Sequence, residues 1–446
     1  MQETTAAGKE NIEAEAAKAG KTKLKLTREE KSWIMYDWAN SAFATIMMAA
    51  VFPIYFTNVA NGAGQSGDYW WGIGTSAAMI VVALCAPVVG ALSDFIGYRK
   101  KLFSLFLALG VGFTLASAFV DHWALLLIGY ALSHVGFSGS CLIYDSFLPD
   151  VTSPERMDTI SGYGYAFGYI GGSTIPFLIS IALITFGESF GIGASLAIKI
   201  SVALTALWWG LFTIPFLTNV RQRFGVERPE NQAVARAAFT SVVRTAKKIF
   251  KDKRVFYYVI AYFFYIDGVG TVINMSTSYG ATLGLNTTSM ILALLVTQFV
   301  AFPCSIWFSA LCRRFGALRM IRAAICEYLL ICVVGFFMGF GLESGWFGVG
   351  RAVMLFWILA VMVGTVQGGI QAISRSYYCQ MIPPENSGEF FGFFDVFGKF
   401  ASVLGPLLYS ITKGVTGRSS FSILSIVLLF LAALVVLGAG RKHLDA

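Results

Sequence analysis

The sequence predicts an all-α integral membrane protein in which twelve transmembrane helices form two six-helix pseudo-repeats. Only 13% of its 446 residues are charged and its mean hydropathy is +0.68, whereas soluble proteins contain about 25% charged residues. Twelve apolar runs follow one another, each close to the roughly 20 residues that cross a bilayer as a helix. Several residues of the first half recur at matching places in the second. This composition excludes a soluble enzyme, a disordered chain and a nucleic-acid-binding module.

The apolar runs define the elements in order. Residues 1–32 are predicted to be a disordered cytoplasmic tail that includes the start of helix 1, because the first residues are polar and Thr27 to Glu30 match a capping box. An N-terminal bundle (33–217), a basic cytoplasmic linker (218–254), a C-terminal bundle (255–440) and a short cytoplasmic tail (441–446) follow. The predicted spans are 33–59, 69–92, 102–120, 123–147, 158–186, 196–217, 255–281, 289–311, 321–341, 350–374, 389–412 and 419–439.

The basic residues predict the orientation in the membrane. They are concentrated in alternate connections, namely Arg99 to Lys101, Arg156, the segment 221–254, Arg313 to Arg322, and Arg441 with Lys442. Cytoplasmic loops carry such an excess of Lys and Arg. We therefore expect both termini in the cytoplasm and a multi-pass location in the cell (inner) membrane, or in the vacuolar membrane if the protein is eukaryotic. The net charge of +8 then reflects topology and not nucleic-acid binding.

The linker is predicted to hold an amphipathic helix on the cytoplasmic membrane surface. Its apolar residues recur at helical spacing and basic residues flank them. The apolar set is Phe239, Val242, Val243, Ala246, Ile249 and Phe250, and the basic set is Arg244, Lys247, Lys248 and Lys251.

The repeat predicts how the spans are organised. Asp37 and Asp267, Gly168 and Gly398, and Pro176 and Pro406 are separated by one constant spacing. Two parallel six-helix repeats joined by a basic bridge are the layout of the major facilitator fold.

The turn from Gly90 to Lys100, GALSDFIGYRK, resembles the signature between helices 2 and 3 of major facilitator transporters. The resemblance implies a conformational latch, in which Asp94 holds the N-terminus of helix 11. Arg99 would hold an acid at the end of helix 4, either Asp145 or Asp150. In the second half, Arg313 stands where the acid would be.

Two further stretches narrow the resemblance to one family. Tyr36 to Ala42 reads YDWANSA, and Gln367 to Ser376 reads QGGIQAISRS, followed by further glycines and a Gly405-Pro406 pair. Together they resemble the major facilitators typified by the fungal vacuolar amino-acid effluxer and its bacterial relatives. The resemblance implies a multi-pass transporter, with amino acids or similar small polar solutes as cargo.

Polar and ionisable residues inside apolar helices are candidate functional residues, because they are costly in lipid unless paired or solvated. Asp37, Asp267 or His134 could take up and release a coupling proton, and Asp267, which has no cation within one turn of its own helix, is the first candidate. Lys399 instead follows Asp395 by one turn. A purely structural ion pair is the alternative for each charged candidate. The candidates for coupling or substrate binding are Asp37, Asn40, His134, Asp267, Asn274, Gln298, Gln367, Gln371, Asp395 and Lys399. The candidates for gating are Asp94, Arg99, Asp145 and Arg375.

The expected function is secondary active transport of a small polar organic solute by alternating access, coupled to protons. The expected partners are that solute, a coupling proton and the lipid bilayer. We expect no nucleic acid, no cofactor, no metal and no enzymatic activity, and a monomeric protein. One alternative is an exporter or flippase-like carrier of lipophilic molecules, favoured by the 15% aromatic content. The other, a non-transporting receptor or membrane enzyme, would require an accessory domain or a catalytic constellation.

Overall fold

The computed structural model describes residues 25–227 and 234–444, and these fold into twelve membrane-crossing helices, as predicted. The first is bent by 41° between its two parts. Predicted tail residues 1–24, together with 228–233 and 445–446, lie outside the described residues. The helices are α1 (Arg28–Ala50 and Phe52–Gly62), α2 (Gly67–Ser93), α3 (Arg99–Ser117), α4 (Trp123–Ser146), α5 (Pro154–Phe190), α6 (Ala194–Asn219), α7 (Lys253–Thr282), α8 (Thr287–Phe315), α9 (Ala317–Glu343), α10 (Val349–Met381), α11 (Ser387–Thr416) and α12 (Ser419–Ala439).

Helix α1 begins at the predicted capping box. The Glu30 N–H donates to the Thr27 hydroxyl (3.1 Å), and the Thr27 N–H donates to the Glu30 carboxylate (2.8 Å). This reciprocal pair satisfies two N–H groups that a helix N-terminus would otherwise leave without acceptors. At the start of the second half, Asp252 caps α7, because its carboxylate accepts the N–H groups of Arg254 and Val255.

The twelve helices form two halves that meet along a few helix pairs. Helices α1–α6 pack together, as do α7–α12, and the halves contact each other where α2 meets α11, α5 meets α8 and α10, and α4 meets α11. Many large apolar side chains remain exposed on the outer surface, for example Leu84, Val415 and Val435. Such a surface suits contact with lipid acyl chains.

Helices α1 and α5 approach closely because glycines of α5 face α1. A Cβ atom on Gly171 would lie 1.9 Å from the Trp38 ring, and one on Gly172 would lie 2.5 Å from the Trp38 carbonyl oxygen. Both helices contain a π-helical segment in this region, Ala44–Ala50 in α1 and Gly168–Thr174 in α5. Segments of this kind are frequent at functional sites of membrane and soluble proteins.

Both ends of the described chain lie at the same end of the molecule, which we call the terminal end. Arg156 at the start of α5 forms an ion pair with Glu30 (2.7 Å). Gln380 near the end of α10 donates to the Pro154 carbonyl (3.3 Å), and the neighbouring Tyr377 donates to the Leu444 carbonyl (3.3 Å). An even number of spans requires this arrangement.

A helix in the segment between the halves, Val234–Lys251, crosses from one half to the other at the terminal end. Ala238 packs against Ala91 and Phe95 at the end of α2. Ser241 donates to the Glu389 carboxylate at the start of α11 (2.8 Å). We call this element the linker helix.

The topology predicts that the loop between α1 and α2 and the linker helix lie on opposite faces of the membrane. Single cysteines at Ala63 and Lys247, both exposed positions, should therefore react with a membrane-impermeant maleimide from opposite sides of intact and inverted vesicles. The seven native cysteines would first be replaced by serine. Labelling of both sites from the same side would contradict the twelve-span arrangement.

Candidate functional site

The guanidinium of Arg375, on α10 of the C-terminal half, is bound entirely by groups of the N-terminal half. Its Nη1 lies 2.9 Å from Asp145 on α4, and its Nη2 lies 3.2 Å from Asp37 on α1. Its Nε donates to the Ser161 hydroxyl on α5 (2.9 Å). Tyr144 donates to the same Asp37 oxygen (2.8 Å). We call this set the arginine junction; it brings together three of the predicted site residues, Asp37, Asp145 and Arg375.

Aromatic rings enclose the guanidinium on the sides that its hydrogen bonds leave open. The guanidinium carbon lies 4.6 Å from the ring centroids of both Trp33 and Tyr165 and 5.5 Å from that of Tyr144. Trp33 and Tyr144 are themselves stacked, with centroids 4.4 Å apart. Such rings attract a desolvated cation through their quadrupoles. The arginine is consequently 4% exposed although it carries a full charge.

Small residues of α5 make room for this junction. A Cβ atom on Gly164 would lie 2.2 Å from the Asp37 carboxylate and 3.1 Å from Arg375 Nη2. Ser161, one turn earlier, donates its hydroxyl to the Ala372 carbonyl of α10 (2.7 Å) while accepting from Arg375. The predicted candidates do not include Ser161, Tyr144 or Trp33, because a sequence does not show which small or aromatic residues of three helices converge.

A second contact between the halves lies at the loop that follows α2. The Asp94 carboxylate accepts the N–H groups of Gly388 (2.8 Å) and Glu389 (2.9 Å) in the first turn of α11. An anion at this position also interacts favourably with the positive end of the helix dipole. The backbones can approach because neither Gly90 nor Gly388 has a side chain; a Cβ atom on Gly90 would lie 2.1 Å from the Gly388 oxygen. We call this contact the latch.

Arg99 anchors the latch to the N-terminal half. It forms ion pairs with Asp94 (2.8 Å) and Asp150 (2.6 Å) and is fully buried. Of the two acids considered for Arg99, the structure therefore places Asp150 beside it, whereas Asp145 binds Arg375. Burial raises the pKa of the Asp94 carboxyl to about 7, even though Arg99 and the two N–H groups favour its charged form. Burial also raises the pKa of the Asp150 carboxyl.

The repeat-related contact of the other half uses a different acid. Arg313, which replaces the latch acid in the sequence, is exposed and forms no ion pair among the described residues. Asp158 on α5 instead binds Ser376 (2.5 Å) and Gln380 (3.1 Å) of α10 and lies 3.3 Å from the Cys312 sulfur of α8. Asp158 is absent from the predicted set, because it follows Pro154 and Arg156 and resembles an ordinary interfacial charge.

The remaining charged candidates lie apart from the arginine junction. Lys399 and Asp395 pair along α11, the helix that packs against α4. His134 on α4 is buried and its Nδ1 lies 3.2 Å from the Tyr130 hydroxyl. Asp267 on α7 is buried, and both of its oxygens lie within 3.0 Å of the Gly405 N–H of α11. This backbone donor satisfies a carboxylate that has no cation within one turn of its own helix.

The amide candidates are distributed over several places. Gln371 donates to the Tyr169 hydroxyl across the two halves (3.3 Å). Gln298 and Gln367 line a separate, mainly apolar cavity of about 90 Å³ inside the C-terminal half. Gln298 Oε1 and Gln367 Nε2 have no hydrogen-bond partner among the described residues. Asn40 is buried in α1 and Asn274 is exposed on α7.

This fold is shared with solved structures of transporters. Residues 73–440 match the family model described as "Vacuole effluxer Atg22 like". The chain belongs to this family. It is 42% identical to the uncharacterized MFS-type transporter YxiO of Bacillus subtilis, over 93% of this chain and 95% of that one.

More distant similarities agree with this assignment. Autophagy-related protein 22 of Botryotinia fuckeliana is 26% identical over 63% of this chain, which spans about half of that fungal protein (49%). The crystal structure of the human organic anion transporter MFSD10 (TETRAN) superposes with a TM-score of 0.69 and 16% identity, over 92% of this chain and 99% of that one. The chain is therefore a multi-pass membrane transporter with the major facilitator fold, as predicted, and not an enzyme.

Replacing Arg375 by Met should destabilise the protein strongly, because the buried Asp37 and the half-buried Asp145 would lose their cation. Removing one partner of a buried ion pair costs about 3–5 kcal/mol. Thermal unfolding of the detergent-purified variants would measure the loss. Arg351→Met, at an exposed position on the same helix, is the matched control and should unfold like the unchanged protein. Adding Asp37→Asn to Arg375→Met should restore part of the stability. Equal stability of the Arg375→Met and Arg351→Met variants would show that the arginine junction does not stabilise the protein.

Replacing Asp94 by Asn should weaken the latch by about 1.5–3 kcal/mol, the usual contribution of hydrogen bonds to a charged group. Spin labels at the exposed positions Ile96 and Glu385 should then show a larger population of long distances. Because the pKa of the Asp94 carboxyl is about 7, the unchanged protein carries this charge at pH 8 and largely loses it at pH 6. The difference between the two proteins should therefore grow as the pH rises from 6 to 8.

The matched control for the latch is Asp68→Asn, an exposed acid in the first turn of the same helix. It should leave the distance distribution unchanged at both pH values. A distribution that Asp94→Asn does not alter at pH 8 would show that the turn is only a structural connection.

Proposed function

We propose that this protein is a secondary active transporter that moves an amino acid or a similar small zwitterionic solute by alternating access, driven by protons. The observation that carries the proposal is the arginine junction. One cation of the C-terminal half is bound by two acids, a hydroxyl, a backbone carbonyl and aromatic rings, all of the N-terminal half. The halves can separate at this end only if the Arg375 charge gains other partners or water.

The charges between the halves favour a zwitterionic cargo. Arg375 with its two acids and the Lys399–Asp395 pair each present both signs of charge near the contact between the halves. The carboxylate of an amino acid can replace an acid beside a cation, while its ammonium group replaces a cation beside an acid. Such an exchange leaves no uncompensated buried charge, which would cost several kcal/mol. A ligand shifts a conformational equilibrium when it binds one state better than the other.

Asp37 is the proposed coupling carboxyl, in preference to Asp267. Asp37 contacts Arg375 across the two halves, so protonating it removes one of the two negative charges that hold the arginine. Asp267 is instead bound by a backbone N–H within its own half. Protonation of Asp37 therefore bears directly on the contact that must open during transport.

The two halves with the linker helix between them would act as the moving bodies, and the basic residues of the terminal end would place both termini in the cytoplasm. Because the junction and the latch hold the terminal end closed, the described state would be the outward-facing one. The cell membrane is the proposed location and the monomer the proposed working unit, since each half finds its charged partners within the chain.

The cargo is testable by thermal-shift measurements on the purified protein with amino acids, short peptides, nucleotides and lipids. A cargo that binds the native state raises the unfolding temperature. We expect neutral zwitterionic amino acids to stabilise the protein, and the stabilisation to be lost in Arg375→Lys, which cannot reproduce the forked geometry of arginine. Stabilisation by lipophilic molecules alone would instead favour an exporter or flippase-like carrier.

Coupling is testable with proteoliposomes and the stabilising solute. Asp37→Asn should abolish accumulation driven by a pH gradient and retain counterflow exchange, because exchange needs no net proton movement. Asp267→Asn, the same substitution at the repeat-related position, is the matched control and should retain both activities. The reverse result would assign the coupling to Asp267, and accumulation in both variants would exclude both acids.

A further inference from the structure

A strongly basic pocket lies at the terminal end, and the described residues that line it all belong to the C-terminal half. Its volume is about 620 Å³. Five separate elements line it, namely the start of α7, the end of α8, the start of α9, the end of α10 and the segment after α12. Its cations are Arg254, Arg314, Arg319, Arg322 and Arg441, and none of the described residues that line it is acidic. We call it the arginine pocket.

Most of these arginines are not neutralised by the protein. Within the described residues, Arg254, Arg314 and Arg319 have no carboxylate within 4.0 Å. Arg322 donates to the Leu437 carbonyl near the end of α12 (3.4 Å), which fixes it without cancelling its charge. Arg99, at the same end of the molecule, is by contrast paired with two carboxylates. Like charges facing one cavity repel each other, and an anion bound among them would remove that repulsion.

The walls of the pocket suit a phosphate group. The backbone from Gly316 to Arg319 lines it, and this segment begins α9 without a side-chain cap on its first N–H groups. Uncapped N–H groups at the start of a long helix add a partial positive charge to that of the arginines. Arginine is also the side chain whose forked donors match the oxygens of a phosphate.

The surroundings of the pocket favour a lipid over a soluble anion. Leu318 and Leu444 form a buried apolar floor, and Phe315 at the rim is 44% exposed. Further along α8, Trp307 is 62% exposed on the lipid-facing surface. A phospholipid could place its phosphate among the arginines while its acyl chains follow the apolar surface of α8. Basic pockets between transmembrane helices are known to bind multiply charged lipid headgroups.

We propose that the arginine pocket binds an anionic phospholipid whose headgroup carries two negative charges, through the phosphate oxygens. This site is independent of the arginine junction and of the proposed solute, so it can be tested without knowing the cargo. Occupation of the pocket would join α7, α8, α9 and the segment after α12 at one point, and should therefore stabilise the C-terminal half.

Native mass spectrometry of the full-length, detergent-purified protein can measure this binding with cardiolipin, phosphatidylglycerol and phosphatidylcholine as probes. We expect cardiolipin to bind at least ten-fold more tightly than phosphatidylglycerol, and phosphatidylcholine to bind more weakly still. In Arg254→Gln/Arg319→Gln, neither arginine loses an ion pair with a described carboxylate, and cardiolipin binding should weaken at least ten-fold. Thermal unfolding without lipid would verify that this variant remains folded.

The matched control is Arg313→Gln/Lys442→Gln, which removes the same charge from exposed positions at the end of α8 and after α12 without changing a residue that lines the pocket. It should change cardiolipin affinity by less than two-fold. Equal weakening by both double variants would show a diffuse basic surface and overturn the site. Inorganic pyrophosphate, tested by thermal shift, should stabilise the protein only slightly. If pyrophosphate binds, loses binding in Arg254→Gln/Arg319→Gln, and cardiolipin does not bind, the assignment to a lipid is overturned.

Discussion

The arrangement of this transporter depends on one physical constraint, the burial of the Arg375 charge. A guanidinium in a low-dielectric interior requires counter-charges, hydrogen-bond acceptors or aromatic faces. Arg375 obtains all of them from the opposite half, through Asp37, Asp145, Ser161 and the rings of Trp33 and Tyr165. Closure of the terminal end is therefore an electrostatic requirement and not only a matter of apolar packing. An interaction of this kind is strong when complete and costly when half broken, which favours two discrete states over intermediate ones.

The other contacts between the halves surround this junction without duplicating it. The latch uses a carboxylate, Asp94, on the N-terminus of α11, and its partner Arg99 belongs to the same half. The latch can therefore open while Arg99 keeps both of its counter-charges, so it should open more easily than the junction. Asp158, on the repeat-related helix pair, binds hydroxyl and amide groups and strands no cation when it separates. The repeat is thus preserved in the backbone but not in the chemistry of its contacts.

The sequence predicts the fold well because lipid imposes simple rules on helices. Twelve apolar runs, their basic connections and the capping box at Thr27 match the observed helices to within a few residues at most ends. The sequence identifies both Arg375 and Asp145 as gating candidates, although it does not pair them with each other. The partner of Asp267 could not be predicted from the sequence, because it is the backbone N–H of Gly405 and no side-chain pattern indicates such a contact. The roles of Ser161 and Tyr165 could not be predicted either. They depend on how α1, α4, α5 and α10 pack around one guanidinium in three dimensions.

We propose that transport requires the two halves to separate at the terminal end. Asp158 of α5 lies 3.3 Å from the native Cys312 of α8, so Asp158→Cys, with the other six cysteines replaced, would place two thiols on opposite sides of this contact. Counterflow exchange of the stabilising solute in proteoliposomes should be measured before cross-linking, after oxidation to the disulfide and after reduction. We expect exchange to stop on oxidation and to return on reduction. Exchange at an unchanged rate in fully cross-linked protein would contradict this proposal.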